Sequence, residues 1–211
     1  MEFLRLFPTN IAISRVDNFE ELNQKINKNS FMYDGSLRMV KRQRLWDKMD
    51  EHPEIKELHD LMLDAVVEYA NNYHSDQTYR PEYFNFVHGW VNEQEPEEGL
   101  YMHNHKINHL VCIYYWDVPE GAGPLDFVDP RATLGFISLD KSTPFNVFRM
   151  QPKTGDLLVF PGWLLHYVWP NKTPCHRKII GANVLLKEEY QTSPPGLIAR
   201  EVGTSIMKLG K

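Results

Sequence analysis

Short apolar runs separated by Gly, Pro, Asn and Asp dominate the chain from residue 83 onward. Eight of these runs have the length and composition of β-strands, and no helical periodicity interrupts them. This texture is typical of an antiparallel sandwich or barrel. The eight runs cover residues 83–91, 100–102, 110–116, 125–128, 145–150, 157–160, 164–168 and 178–186.

The N-terminal third of the chain has a different periodicity. Between residues 53 and 73, apolar side chains recur at steps of three and four, which predicts a helix with one apolar face. Pro53 suits the first turn of that helix. Asp17 and Asn18 are N-capping residue types and predict a shorter helix over residues 19–28. Residues 3–16 predict an extended segment broken at Pro8. We therefore expect a mainly β fold with N-terminal α-helices.

Length and composition predict one globular domain. The chain has 211 residues, of which 42% are hydrophobic and 24% are charged. We expect helical support in residues 1–80, a β core in residues 83–187 and a C-terminal segment in residues 188–211. The net charge of −5 argues against nucleic acid as a partner. No apolar stretch reaches the ~18 residues of a membrane span, and Cys112 and Cys175 are too few for a disulfide scaffold, so we expect a cytoplasmic protein. The sequence is compatible with an oligomer but does not demand one.

Three histidines lie close to the predicted strands. His103 and His105 are two positions apart after the run 100–102, and side chains at that spacing point to the same face of a strand. His166 lies in the run 164–168, and Arg177 follows eleven positions later. Imidazole binds iron, zinc, copper and nickel, so the residue types indicate a metal site without selecting the metal.

Several motifs resemble a known family. Residues 110–116 resemble the third barrel strand of prolyl-hydroxylase-like oxygenases, and residues 154–161 leading to His166 resemble their sixth and seventh strands. The order of these motifs, with Trp90 to Asn92, residues 123–127, residues 129–131 and Arg177 to Asn183, is similar to that of the 2-oxoglutarate/Fe(II)-dependent oxygenases of bacteria and phages. The resemblance spans residues 84–186. It implies a double-stranded β-helix, which is a jelly-roll or cupin-like fold.

The resemblance also implies a ligand set for iron(II). His103 and His166 match the two histidine ligands of the family. Many relatives have His-x-Asp at the first motif, whereas the third position here is His105. We favour His105 as the third ligand, with Asp126 or Asp129 as alternative carboxylate ligands.

The cosubstrate of the family is 2-oxoglutarate. The resemblance implies that Arg177 and Tyr115 hold its distal carboxylate, because a guanidinium pairs bidentately with a carboxylate. Tyr114 is then expected to point the opposite way. Asn183 and Asn92 are polar residues within strands and are expected to line the same pocket.

The function implied is a 2-oxoglutarate-dependent dioxygenase. With O2 as the oxidant, it would hydroxylate a C–H bond of a peptide, a protein side chain or a small metabolite and release succinate and CO2. Two alternatives remain. A three-histidine metal dioxygenase would need no 2-oxo acid. A non-catalytic β-domain would use the histidines structurally and bind a partner.

Overall fold

The computed structural model of the chain describes residues 9–28, 45–73, 78–131 and 147–191. Within these ranges, each of the eight apolar runs contributes a strand, and the extended segment before the first helix contributes a ninth. The long helix has the predicted bounds, Pro53–Tyr73. The elements are β1 (Ala12–Arg15), α1 (Phe19–Asn27), α2 (Pro53–Tyr73), β2 (Phe84–Gln94), β3 (Leu100–His103), β4 (Leu110–Asp117), β5 (Leu125–Val128), β6 (Val147–Met150), β7 (Asp156–Pro161), β8 (His166–Val168) and β9 (Arg177–Leu186), with short 3-10 helices at Leu45–Lys48, Pro81–Tyr83 and Glu188–Tyr190.

The nine strands form two antiparallel sheets. The larger sheet has the order β1-β7-β4-β9-β2, and the smaller has the order β3-β8-β5-β6. Apolar side chains from both sheets share one buried cluster, so the two sheets face each other. This is the predicted double-stranded β-helix, and the fold class is confirmed.

Strand β4 shows how alternation divides the core. Its residues Val111, Ile113 and Tyr115 lie in the cluster between the sheets. The residues between them face the two helices on the outer side of the larger sheet. Among these, the Tyr114 hydroxyl donates a hydrogen bond to Oδ1 of Asn23, at 2.7 Å. The opposite orientations of the two tyrosines follow from the pleat of a single strand.

The helices cover the outer face of the larger sheet. Helix α2 buries Ile55, Leu58, Met62 and Val66 completely, and each such side chain contributes roughly 1.5–3 kcal/mol by leaving water. The predicted cap of α1 is wrong in one respect. Asn18 occupies the N-cap position, but its side chain makes no capping hydrogen bond. Instead its Nδ2 donates to Glu57, at 3.3 Å, and ties the two helices together.

The N-terminal region is more than a helical support. Strand β1 lies inside it and pairs with β7 at one edge of the larger sheet. Residues 1–8 and 192–211, which include most of the expected C-terminal segment, lie outside the described residues. Cys112 is a buried free thiol, and Cys175 is free and exposed. No helix in the described part of the chain is long and apolar enough to cross a membrane.

Candidate active site

Three histidines converge at one end of the smaller sheet. His103 is the last residue of β3 and pairs with His166, the first residue of β8. The chain returns toward this pair because the backbone N–H of His105 donates to the Gly162 carbonyl, at 2.8 Å. One ring nitrogen of each histidine lies within 4.8 Å of the others. The ring centroids of His103 and His166 are 4.3 Å apart, and those of His105 and His166 are 5.3 Å apart.

Each histidine has one ring nitrogen occupied by an acceptor. Nδ1 of His103 lies 2.7 Å from the Tyr101 carbonyl, and Nδ1 of His166 lies 2.8 Å from the Leu164 carbonyl. Nδ1 of His105 lies 2.6 Å from Oδ1 of Asn183, which we assign as the amide oxygen. Each Nδ1 therefore carries a proton and donates, so Nε2 is the nitrogen of each ring that can bind a metal. Histidines that bind metals are usually held in this way.

Burial keeps two of these rings neutral. Loss of water lowers the pKa of His105 to about 4 and that of His166 to about 3, although each ring also has a hydrogen bond that opposes the change. At neutral pH both rings are therefore unprotonated. Two unprotonated imidazoles beside a third histidine fit a divalent transition metal.

Neither alternative carboxylate reaches the histidines. Both oxygens of Asp126 accept hydrogen bonds from Arg149, at 2.8 and 2.7 Å, and one also accepts from the Trp169 indole, at 2.7 Å. The hydrogen bonds from Arg149 hold the pKa of Asp126 at about 2. Asp129 is bound to Arg131, at 2.7 and 2.9 Å. Phe127 pairs with His166 in the sheet and packs between the two sheets, so the side chain of its neighbour Asp126 points to the opposite face.

The second polar group of the site centres on Arg177. This guanidinium is 2% exposed, and within the described residues it forms no ion pair with a carboxylate. Its Nη1 donates to Gln94 Oε1, at 3.1 Å, and to the Gly123 carbonyl, at 3.4 Å. It also lies over the Tyr115 ring, 5.4 Å from the centroid. Burial lowers the pKa of Arg177, and burial raises that of Tyr115 to about 12, so the phenol keeps its proton as a donor.

Two buried donors beside each other have no partner. Nε of Arg177 and Nε2 of Gln94 form no hydrogen bond, and Gln94 is only 3% exposed. Leaving such groups unsatisfied is costly, so the arrangement fits an anionic ligand that accepts from both. Gln94 was missed by the sequence analysis, which ended the strand run at residue 91. The available signal was Asn92, since Gln94 lies two positions further on the same face of the same strand.

One cavity of about 550 Å³ connects the two polar groups. It is lined by the three histidines and Arg177, and also by Tyr115, Asn183 and Asn92. The seven residues preferred from the sequence for metal and cosubstrate thus line the same space, whereas the alternative ligands Asp126 and Asp129 are not among its lining residues. Asn183 also holds His105, which is a role that the sequence did not suggest.

The position of Trp90 on the cavity wall depends on a glycine. Trp90 stacks on His105 with ring centroids 5.5 Å apart and pairs with Gly181 across the sheet. A Cβ atom on Gly181 would lie 2.3 Å from the Trp90 indole. The missing side chain therefore gives the indole its room, and the indole in turn packs against a candidate metal ligand.

Comparisons with known proteins agree with this fold. The sequence profile of the family described as "Putative 2OG-Fe(II) oxygenase" matches residues 88–183. AviO1 from Streptomyces viridochromogenes Tue57 has 16% identity and a TM-score of 0.57, over 89% of this chain and 92% of its own. Iron-bound HygX from Streptomyces hygroscopicus has 12% identity and a TM-score of 0.59, over 85% of this chain and 83% of its own.

SnoK, a non-heme alpha-ketoglutarate dependent carbocyclase from nogalamycin biosynthesis, has 14% identity and a TM-score of 0.58, over 91% of this chain and 86% of its own. At these identities the three structures establish the shared fold. No curated protein matches the sequence significantly. The profile match contains all three histidines, Tyr115 and Arg177. Residues 88–183 therefore match the 2OG-Fe(II) oxygenase family that the sequence motifs predicted, and the cofactors of that family are iron(II) and 2-oxoglutarate.

Proposed function

We propose that this protein binds iron(II) through His103, His105 and His166 and hydroxylates a C–H bond of an organic substrate. The observation that carries the proposal is the convergence of three imidazoles, with one ring nitrogen of each within 4.8 Å of the others and with each ring held by a hydrogen bond at Nδ1. Iron(II) and 2-oxoglutarate would supply the oxidising chemistry, with O2 as oxidant and with succinate and CO2 as products beside the hydroxylated substrate.

The buried cationic end of the cavity is proposed to hold the cosubstrate. Arg177 and Gln94 each offer an unsatisfied donor, and the Tyr115 hydroxyl remains protonated beside them. A carboxylate placed among these groups would satisfy the donors and compensate the charge of Arg177. The remaining volume near Trp90 and Asn104 is left for the substrate. This division orients the cosubstrate from one end and excludes water from its distal carboxylate.

The first test is metal and cosubstrate binding by the purified protein without an affinity tag. Under anaerobic conditions, Fe(II) with 2-oxoglutarate should give the weak visible charge-transfer band of a 2-oxo acid chelate. His166→Ala should abolish the band, and Arg177→Ala should weaken it at a fixed cosubstrate concentration. His176→Gln is the matched control, because this exposed histidine pairs with Glu93 outside the cluster. A band that persists in His166→Ala would refute the ligand assignment.

The second candidate is a three-histidine dioxygenase that uses no 2-oxo acid. The absence of a carboxylate from the histidine cluster, among the residues that the structure describes, favours it. The unsatisfied donors at Arg177 and Gln94 favour the cosubstrate instead, because such a dioxygenase has no use for an anion site at the far end of the cavity. Calorimetry decides between them, since iron binding without any 2-oxoglutarate binding would support the second candidate.

A further inference from the structure

The cavity has an unusual balance of charge. Its titratable lining residues are His88, His103, His105, His166, Lys106 and Arg177, with Tyr115 as the only other such group. No aspartate or glutamate of the described residues lines it, although the protein as a whole carries 28 acidic and 23 basic residues. Because the chain as a whole is acidic, this local bias is not explained by composition.

The proposed function leaves part of this positive charge uncompensated. A divalent metal contributes two positive charges, the three neutral imidazoles contribute none, and 2-oxoglutarate contributes two negative charges. Because the distal carboxylate pairs with Arg177, one excess positive charge remains at the metal centre. A carboxylate at the position of His105 would have cancelled it. Because uncompensated buried charge is costly, the cavity favours a further anion.

Lys106 adds a second excess positive charge at the mouth of the cavity. It is exposed, lines the cavity and forms no ion pair within the described residues. Its backbone has a φ of 53°, which is uncommon for a residue other than glycine. The backbone N–H of Lys106 donates a hydrogen bond to Oδ1 of Asn104, at 3.1 Å, and this bond stabilises the conformation.

The loop that carries Lys106 is held on both sides. Nδ2 of Asn108 donates to the His105 carbonyl, at 2.7 Å, and the His105 N–H donates to Gly162. The absence of a side chain at Gly162 lets Asn108 approach it closely, since a Cβ at Gly162 would lie 2.0 Å from the Asn108 carbonyl oxygen. The lysine is therefore presented at a defined place, next to the proposed metal ligands. The adjacent Ile107 is 86% exposed and also lines the cavity, so an apolar surface accompanies the charge.

We infer that the substrate is a small organic anion, with an apolar part that packs near Trp90 and Ile107 and a carboxylate or phosphate group bound by Lys106. The inference rests on the proposed function, since the excess charge arises from three neutral metal ligands and the cosubstrate. It names a substrate class and a specificity residue. Lys106 contacts the anionic group, whereas the metal and cosubstrate are held by other side chains.

The test measures binding rather than turnover. The protein is loaded with Ni(II) and saturated with 2-oxoglutarate, and dissociation constants are measured by ligand-observed NMR for pairs of probes. Each pair is an acid and its amide: phenylacetate with phenylacetamide, 3-phenylpropionate with its amide, and N-acetyl-leucine with N-acetyl-leucinamide. We expect at least one acid to bind about threefold or more tighter than its amide, as for a partly exposed ion pair. The preference should shrink as salt is added.

Lys106→Met should remove this preference without changing the affinity for Ni(II) or 2-oxoglutarate. Lys153→Met is the control, because Lys153 is exposed and lies outside the cavity lining. The inference is overturned if no acid binds more tightly than its amide, or if Lys106→Met retains the preference. Its failure is distinct from failure of the proposed function, because the latter would appear first as absence of Ni(II) or 2-oxoglutarate binding.

Discussion

Gln94 provides the sharpest test of the cosubstrate site. Its Oε1 accepts from Arg177 at 3.1 Å, while its Nε2 is buried without a partner. Gln94→Met keeps the approximate size of the side chain but removes the donor. A hydrogen bond to a charged group contributes about 1.5–3 kcal/mol. The dissociation constant of 2-oxoglutarate should therefore rise roughly 10- to 100-fold.

Gln94→Glu should have a larger effect at the same position. The new carboxylate would pair with Arg177 and repel the distal carboxylate of the cosubstrate. At a separation of about 4 Å and an effective dielectric constant near 20, that repulsion amounts to about 4 kcal/mol, or roughly a thousandfold in affinity. Metal binding should be unaffected, because the proposed ligands are the three histidines and Gln94 is not among them.

Isothermal titration calorimetry with Ni(II)-loaded protein measures both variants. Gln24→Glu is a matched control, since it adds the same charge on the exposed face of α1. The expected order of 2-oxoglutarate affinity is wild type, then Gln94→Met, then Gln94→Glu, with Ni(II) affinity constant throughout. Wild-type affinity in Gln94→Glu would refute the assignment of this pocket to the cosubstrate carboxylate. Loss of Ni(II) binding together with 2-oxoglutarate would mean that Gln94 acts through the fold instead.

Three further predictions concern the histidines and the tyrosines. Asn183→Leu should weaken Ni(II) binding about 10- to 100-fold, because the His105 ring loses the hydrogen bond that orients it. Asn183→Asp keeps the acceptor and should retain most of the Ni(II) affinity. Equal losses of Ni(II) affinity in the two variants, measured by calorimetry, would argue that Asn183 does not orient His105. Tyr115→Phe should weaken 2-oxoglutarate binding in calorimetry and change the free energy of unfolding little. Tyr114→Phe should lower the free energy of unfolding, measured by urea titration, by about 1 kcal/mol and leave 2-oxoglutarate binding intact. The reverse pattern would exchange the roles of the two tyrosines. The metal-free protein should lose about 2 kcal/mol or more between pH 7 and pH 5. Burial lowers the folded pKa values of His105 and His166 to about 4 and 3, so below about pH 6.5 these residues take up protons in the unfolded chain but not in the folded one. The free energy of unfolding therefore decreases as the pH is lowered. A free energy of unfolding from urea titration that stays constant over this range would contradict the burial argument.

Local pattern was sufficient to predict the elements of this fold. Alternation in β4 predicted that Tyr114 and Tyr115 point to opposite faces, and the steps of three and four in Pro53–Tyr73 predicted α2 with its bounds. Such patterns report which face of an element is buried, and burial is decided largely by neighbours along the chain. For the same reason, the spacing of His103 and His105 indicated that they share a face before any partner was known.

Only the folded structure shows which of the candidate ligands lies beside His103 and His166. Asp126 lies in a strand just as His166 does, but its neighbour Phe127 packs in the apolar cluster between the sheets, and Arg149 binds the Asp126 carboxylate. The pairing of β5 with β6, 23 positions away along the chain, brings that arginine to it. Sequence carries no simple signal for the partner of a charge across a sheet.

Gln94 and Asn183 show the same limit. Strand β2 could be recognised from its apolar run, but the contact of Gln94 with Arg177 depends on the register of β2 against β9. Likewise, the hydrogen bond from His105 to Asn183 joins residues 78 positions apart. The sequence by itself determined the strands, the helices and the residues that share a face, and its motifs indicated the resemblance to the oxygenase family. Tertiary structure decided which polar groups meet and which buried donors remain unsatisfied, because those depend on distances between segments that only the folded sheets bring together.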